Sequence, residues 1–200
     1  MHDEQLLSLV LFAAAVTFSP GPNVVLVTAC AANFGFRPVV PQMLGITVTF
    51  GLMTMASGLG IAGVVRTEPM VHLALKYLGA AYLLYLAWRI GSAKVGPQAT
   101  ARSRPISYVE ASVITALNLK AWVSVLGAVA AYTTVGGRFL IETTLIAGIL
   151  AVSCLLSCIV WAGFGGAIGR FLGKPRIRTA FNWFMAGLVV VSLAPLFLHD

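Results

Sequence analysis

The chain has 200 residues, of which 59% are hydrophobic and only 10% charged, with a net charge of +7 and a mean hydropathy of +0.94. A soluble domain carries about a quarter charged residues, so this composition excludes one and indicates an integral membrane protein, which the apolar segments below make an all-α polytopic one. The basic residues are spread over short inter-helix loops, which argues against nucleic acid as a partner.

The first apolar segment, about 5–34, has no Asp, Glu, Lys or Arg between Gln5 and Phe36. It exceeds the ~20 residues that a bilayer span requires. In its middle stands Ser19-Pro20-Gly21-Pro22-Asn23. Two prolines and a glycine cannot continue a regular helix, because each proline lacks an N–H and crowds the preceding turn. Broken backbone at membrane depth is tolerated only where it is buried in protein or lines a cavity. Discontinuous helices of this kind hold the substrate in many transporters, so the segment points to a carrier.

Further apolar segments follow at about 39–65, 69–91, 108–134, 140–168 and 178–198. The polar interval from about 92 to 107 holds Lys94, Gly96, Pro97, Arg102, Arg104 and Pro105 and reads as a linker. Six transmembrane helices are predicted, in one transporter domain over residues 1–200 with no soluble domain left over.

Loops one, three and five carry nine basic residues: Arg37; Arg89, Lys94, Arg102 and Arg104; Arg170, Lys174, Arg176 and Arg178. The opposite side carries Arg66 and Arg138 alone, among Asp3, Glu4, Glu68, Glu142 and Asp200. The positive-inside rule places the odd loops in the cytoplasm and both termini outside. The first charged residues are acidic, whereas a signal peptide begins with a basic region, so the N-terminal helix is expected to be retained. Cys30, Cys154 and Cys158 all fall in spans. Without a nearby His or acidic partner they read as small buried side chains, and neither a metal nor another cofactor is expected.

Six spans divide into two sets of three, and because three is odd the second set sits inverted in the membrane. Repeat one covers about 5–91 and repeat two about 108–198. Such repeats predict interruptions at matching places. Asn118-Leu119-Lys120 interrupts the first helix of the second half as Ser19–Asn23 interrupts that of the first. Helices 1 and 4 are therefore expected to be broken at mid-membrane.

A helix restarting near Pro22-Asn23 presents free N–H groups and a positive dipole end, suited to a carboxylate. The half-helix ending near Phe18 offers unpaired carbonyls, suited to an ammonium group. A kink that only shapes packing is the alternative. Lys120 has three open readings: an anchor for a substrate carboxylate, a proton carrier, or a side chain that reaches the surface. Asn118 can cap the restarted helix or bind substrate. Gln42 and Asn182 can line the cavity or bond between helices. Lys76 can take part in coupling or reach the outer face. Gly165 and Gly169 form a small-residue spacing able to seat a neighbouring helix. No Asp or Glu lies deep in a span, which disfavours metal ions and polyamines as cargo, and no nucleotide-binding loop supplies ATP as the energy source.

Ser19-Pro20-Gly21-Pro22-Asn23 followed by an apolar run resembles the N-terminal signature of the LysE/RhtB amino-acid exporters. Gly35-Phe36-Arg37, Gly45, Gly58-Leu59-Gly60, the stretch Leu75 to Leu83 and Asn118-Leu119-Lys120-Ala121 fit the same pattern. The resemblance covers essentially the whole chain. Leu119 stands where the family's Asn-Pro-Lys element has proline. Gly45 is followed by Ile46, Thr47, Val48 and Thr49, none acidic, where the lysine- and arginine-exporting branch has an Asp. The resemblance thus implies the branch associated with neutral amino acids and homoserine-like compounds. It implies a secondary exporter in the inner membrane, exchanging an amino-acid-like substrate for protons, with lipid around it and a homodimer left open. A non-transporting membrane subunit or membrane-embedded enzyme built on the same bundle is the alternative.

Overall fold

The computed structural model describes residues 3–59, 69–92, 104–133, 139–171 and 175–191. Arg66, Glu68, Lys94, Arg102, Arg138, Lys174 and Asp200, which enter the charge argument, lie outside the described residues, as do the side chains of Lys76, Arg89, Arg170 and Arg178. Every described element is helical. In chain order they are α1 (Asp3–Phe18), α2 (Pro22–Phe34), a 3-10 turn (Arg37–Val39), α3 (Val40–Gly58), α4 (Pro69–Gly91), α5 (Tyr108–Ala116), α6 (Leu119–Tyr132), α7 (Phe139–Phe171) and α8 (Pro175–Val191).

Two helical stretches, Arg37–Gly58 and Phe139–Gly169, are long and apolar enough to cross a membrane by themselves. The pairs α1–α2 and α5–α6 are each long enough as one span, bent by 57° and 67° at their breaks, which makes up to four candidate spans among the described residues. Thr179–Val191 is apolar but shorter. The bilayer explains the surface of these helices: Leu7, Leu52, Val123 and Val152 are all exposed. A soluble protein rarely shows so continuous an apolar exterior.

The interior reverses that pattern, burying Thr54, Gln42, Asn182 and Ser157 among Leu9, Leu26, Ile114, Ile146 and Leu150. The helix α7 packs against α1, α2 and α3, while α3 packs against α5 and α6, and α4 against α8. Close approach requires small residues. A Cβ on Gly165 would lie 3.0 Å from the Thr28 carbonyl carbon and one on Gly169 3.0 Å from that of Ala32. The Gly165 and Gly169 spacing therefore seats α2 directly on α7, backbone against backbone. Gly45 does the same for α3 on α5, where a Cβ would meet the Tyr108 carbonyl carbon at 3.1 Å. The start of α5 is fixed by a reciprocal capping box: Ser107 Oγ accepts from the Glu110 N–H at 3.3 Å, and Glu110 Oε2 accepts from the Ser107 N–H at 2.8 Å. Arg104 adds a bidentate ion pair to Glu110 at 2.9 and 3.1 Å.

Candidate functional site

The first break forms where the sequence forbids helix. After Phe18 the chain leaves the helix and restarts at Pro22, a residue suited to a first helical position because its missing N–H has no intrahelical partner there. The cap position is Gly21, which has no side chain to accept from the first N–H groups of α2. The amides of Asn23 and Val24 therefore point out of a helix start without a side-chain cap. On the other side of the break, the Thr17 carbonyl accepts from Ser157 Oγ at 2.7 Å and the Val16 carbonyl from Ser19 Oγ at 3.0 Å. Thr17 Oγ1 and Ser153 Oγ lie 2.9 Å apart, so α7 holds the end of α1 at two points.

The second break forms without proline. Asn118 is extended (φ −84°, ψ 107°) and its Oδ1 accepts from the Lys120 N–H at 3.1 Å, capping α6. Trp122 Nε1 donates to the Ala116 carbonyl at 2.8 Å, and the Asn118 N–H donates to the Thr115 carbonyl at 3.1 Å. The chain thus satisfies this break from its own residues. Of the two readings that the sequence leaves open for Asn118, the geometry displays the cap, with the residue buried at the cavity wall.

The two breaks meet. Lys120 Nζ donates to Ser19 Oγ at 2.8 Å, to the Ser19 carbonyl at 3.0 Å and to the Pro20 carbonyl at 3.2 Å. Asn23 Nδ2 donates to Thr115 Oγ1 at 3.2 Å, a second bond between the breaks. Around them lies a cavity of about 50 Å³, lined in part by Ser19, Gly21, Pro22, Asn23, Asn118 and Lys120. Pro20 contributes its carbonyl but is otherwise exposed. Ile46, Phe50, Ala121, Cys154 and Cys158 form the apolar wall, with Ser124 and Ser157 beside them. Asn23 Oδ1 is buried and has no hydrogen-bond partner among the described residues. Within a cavity of this kind it is a ready acceptor.

Gln42 and Asn182 do not line this cavity. Asn182 is fully buried and exchanges amide hydrogen bonds with Asn33, at 2.7 and 3.3 Å, which ties α8 to α2. Gln42 is buried in α3 with its Oε1 unpartnered among the described residues. Lys76 sits within α4, its side chain outside the described residues. The sequence reading missed the contribution of Thr17, Thr115, Ser153 and Ser157. Small hydroxyl residues in apolar helices give no signal until the helices are packed. Cys154 and Cys158 share a helix face, as their four-residue spacing requires, and that face is the cavity wall.

Paired helix breaks that meet around a cavity inside an apolar bundle are the architecture of a membrane transport protein. The chain matches the LysE type translocator family over residues 14–200 and belongs to that family. It is 28% identical over 174 residues to the cysteine/O-acetylserine efflux protein of Salmonella typhimurium, covering 86% of this chain and 84% of that protein. With the protein of the same name from Escherichia coli O1:K1 it shares 30% identity over 142 residues, 70% of this chain and 69% of the other. An uncharacterised membrane protein of Pseudomonas aeruginosa is 38% identical over 87 residues, 40% of each chain. No solved structure matches the chain.

Proposed function

We propose that the protein exports small neutral amino acids or close derivatives from the cytoplasm, binding them as zwitterions where the two helix breaks meet. The observation that carries this reading is the bond set of Lys120, which brings a cation from the second break onto the carbonyl end of the first. Carbonyls of Ser19 and Pro20, together with Asn23 Oδ1, suit the substrate ammonium. The uncapped start of α2 and the Lys120 side chain suit its carboxylate. Site residues are thus Ser19, Pro20, Gly21, Pro22, Asn23, Asn118 and Lys120. The wall formed by Ile46, Phe50, Ala121, Cys154 and Cys158 favours a short, uncharged side chain, and among the described residues no acidic one lines it to receive a basic one. Relatives named for cysteine and O-acetylserine efflux agree in substrate size and charge.

Six spans in two inverted repeats are the arrangement we infer, in the inner membrane with both termini outside. Exchanging α1–α2 with α5–α6, α3 with α7 and α4 with α8 carries the main contacts onto one another, since α7 packs on the first pair as α3 packs on the second. Rocking of one repeat against the other would then open the cavity to each side in turn, with proton exchange as the driving reaction. The cavity of about 50 Å³ falls below the roughly 300–1,000 Å³ of small-molecule sites, so it must widen to admit a substrate. The test is efflux from reconstituted vesicles loaded with a panel of labelled amino acids. Faster release of small neutral members, accelerated by an opposing proton gradient, is expected. Release no faster than from protein-free vesicles for every member would overturn the reading.

A further inference from the structure

We propose that Lys120 is a tethered stand-in for the substrate's ammonium group. Its Nζ sits on the carbonyl end of α1, and an arriving ammonium displaces it onto the substrate carboxylate. The inference rests on the binding site just proposed, but its first step concerns the chain alone.

A primary ammonium has three N–H donors, and here all three have acceptors at hydrogen-bond distance: Ser19 Oγ, the Ser19 carbonyl and the Pro20 carbonyl. In this position Lys120 has no proton left to donate to a carboxylate. Its side chain also lies flat on Gly21, where a Cβ would stand 3.0 Å from Nζ and 3.1 Å from Cδ. The remaining cavity of about 50 Å³ holds only a few water molecules. A second ammonium could share these carbonyls only in contact with Nζ: the room is lacking, and like charges at such spacing repel strongly in a site of low dielectric. Exchange is the remaining route.

The exchange makes selectivity for zwitterions a property of the lysine. An amine without a carboxylate can take the carbonyls only by leaving the displaced Lys120 charge unpaired inside the bundle, which is costly. A carboxylate without an amine finds Lys120 still bound to α1. Only a molecule carrying both charges pairs both sets of groups. The same contact pins the two breaks to each other, so loading and loosening of the two repeats are one event.

The experiment uses purified full-length protein in detergent and ethylammonium as the probe, with ethyltrimethylammonium, of equal charge but no N–H, as control. Wild type, Lys120→Met and Lys120→Gln are titrated by calorimetry and by thermal shift. Both variants vacate the α1 carbonyls, so ethylammonium is expected to bind them roughly 10- to 150-fold more tightly than wild type, the range for one charge-assisted hydrogen bond. It should also restore part of their lost melting temperature, and the control cation should do neither. Equal ethylammonium affinity in wild type and both variants would overturn the proposal, as would equal rescue by ethyltrimethylammonium. Loss of amino-acid flux in every assay with the amine difference intact would sink the transport reading and leave the stand-in standing. Normal export with no amine difference would do the reverse.

Discussion

Gly21 is the position at which a single side chain should silence the site. Its backbone is extended (φ −168°, ψ 177°), a conformation open to any residue, so the need for glycine is one of space. A Cβ would press on Lys120 at 3.0 Å from Nζ and 3.1 Å from Cδ, with Cε at 3.6 Å. The lysine is flexible, so alanine at this position asks for a shift of a few tenths of an ångström and a partial loss. Leucine extends into a cavity of about 50 Å³ and leaves no room for both the lysine head and a substrate. Losing one charge-assisted hydrogen bond costs about 1.5–3 kcal/mol, which is roughly a 10- to 150-fold loss of affinity. Binding of labelled amino acid to purified Gly21→Ala and Gly21→Leu, beside vesicle efflux, should show a graded defect with leucine the more severe. Overpacking costs about 1–3 kcal/mol of stability, so melting temperatures are recorded on the same samples to separate misfolding from a blocked site. Native affinity and flux in a folded Gly21→Leu would refute the close approach of substrate to this backbone.

Asn118→Ala removes the cap of α6 and should lower stability by about 0.5–2 kcal/mol, whereas Asn118→Asp should keep most of it; denaturation midpoints in detergent decide between them. Gly165→Ala drives a methyl into the Thr28 carbonyl region across the α2–α7 contact and should cost about 1–3 kcal/mol by overpacking, while Gly148→Ala, with nothing within 4 Å of its Cβ, should be neutral or slightly stabilising. Asn182→Leu leaves Asn33 without its partner amide and should cost about 0.6–2 kcal/mol in melting experiments while efflux persists, because the pair lies outside the cavity lining.

Much of this arrangement is legible in the sequence because the bilayer imposes strong rules. Charge-free runs mark the helices, and Pro20 and Pro22 on either side of Gly21 mark the place where one is interrupted. Lys120 stands out as an ionisable residue deep in an apolar segment. What the sequence leaves open is partnership. Nothing local says that Lys120 faces Ser19, 101 residues away, or that Asn182 pairs with Asn33 across 149 residues. Those pairs follow from which helix faces meet, a property of the packed bundle. The Thr17 carbonyl is claimed by Ser157 for the same reason. Cys154 and Cys158 show the converse: their shared face is evident from spacing, but that the face borders a cavity is not.

Leu119 allows a last prediction, because it stands where the family's Asn-Pro-Lys element has proline. The structure shows why proline is dispensable: the break is already made by Asn118, and its bend of 67° exceeds the 57° of the proline-flanked first break. Leu119 is the first residue of α6, a position where the N–H has no intrahelical acceptor and proline is favoured. The residue before a proline must be extended, and Asn118 at φ −84° and ψ 107° is already so. Leu119→Pro therefore removes freedom from the unfolded chain without removing a native backbone bond. Where the native backbone is compatible, such a change stabilises by about 0.4–1 kcal/mol. Loss of the half-buried leucine side chain opposes the gain, so Leu119→Ala is measured as the reference, and Leu119→Pro should melt above it. Efflux should be retained, since the capping bond from Lys120 N–H to Asn118 Oδ1 and the ammonium contacts of Lys120 do not involve the Leu119 amide. A Leu119→Pro protein that melts below Leu119→Ala would show that the second break is not built for proline, and that α6 depends on an amide at its first turn.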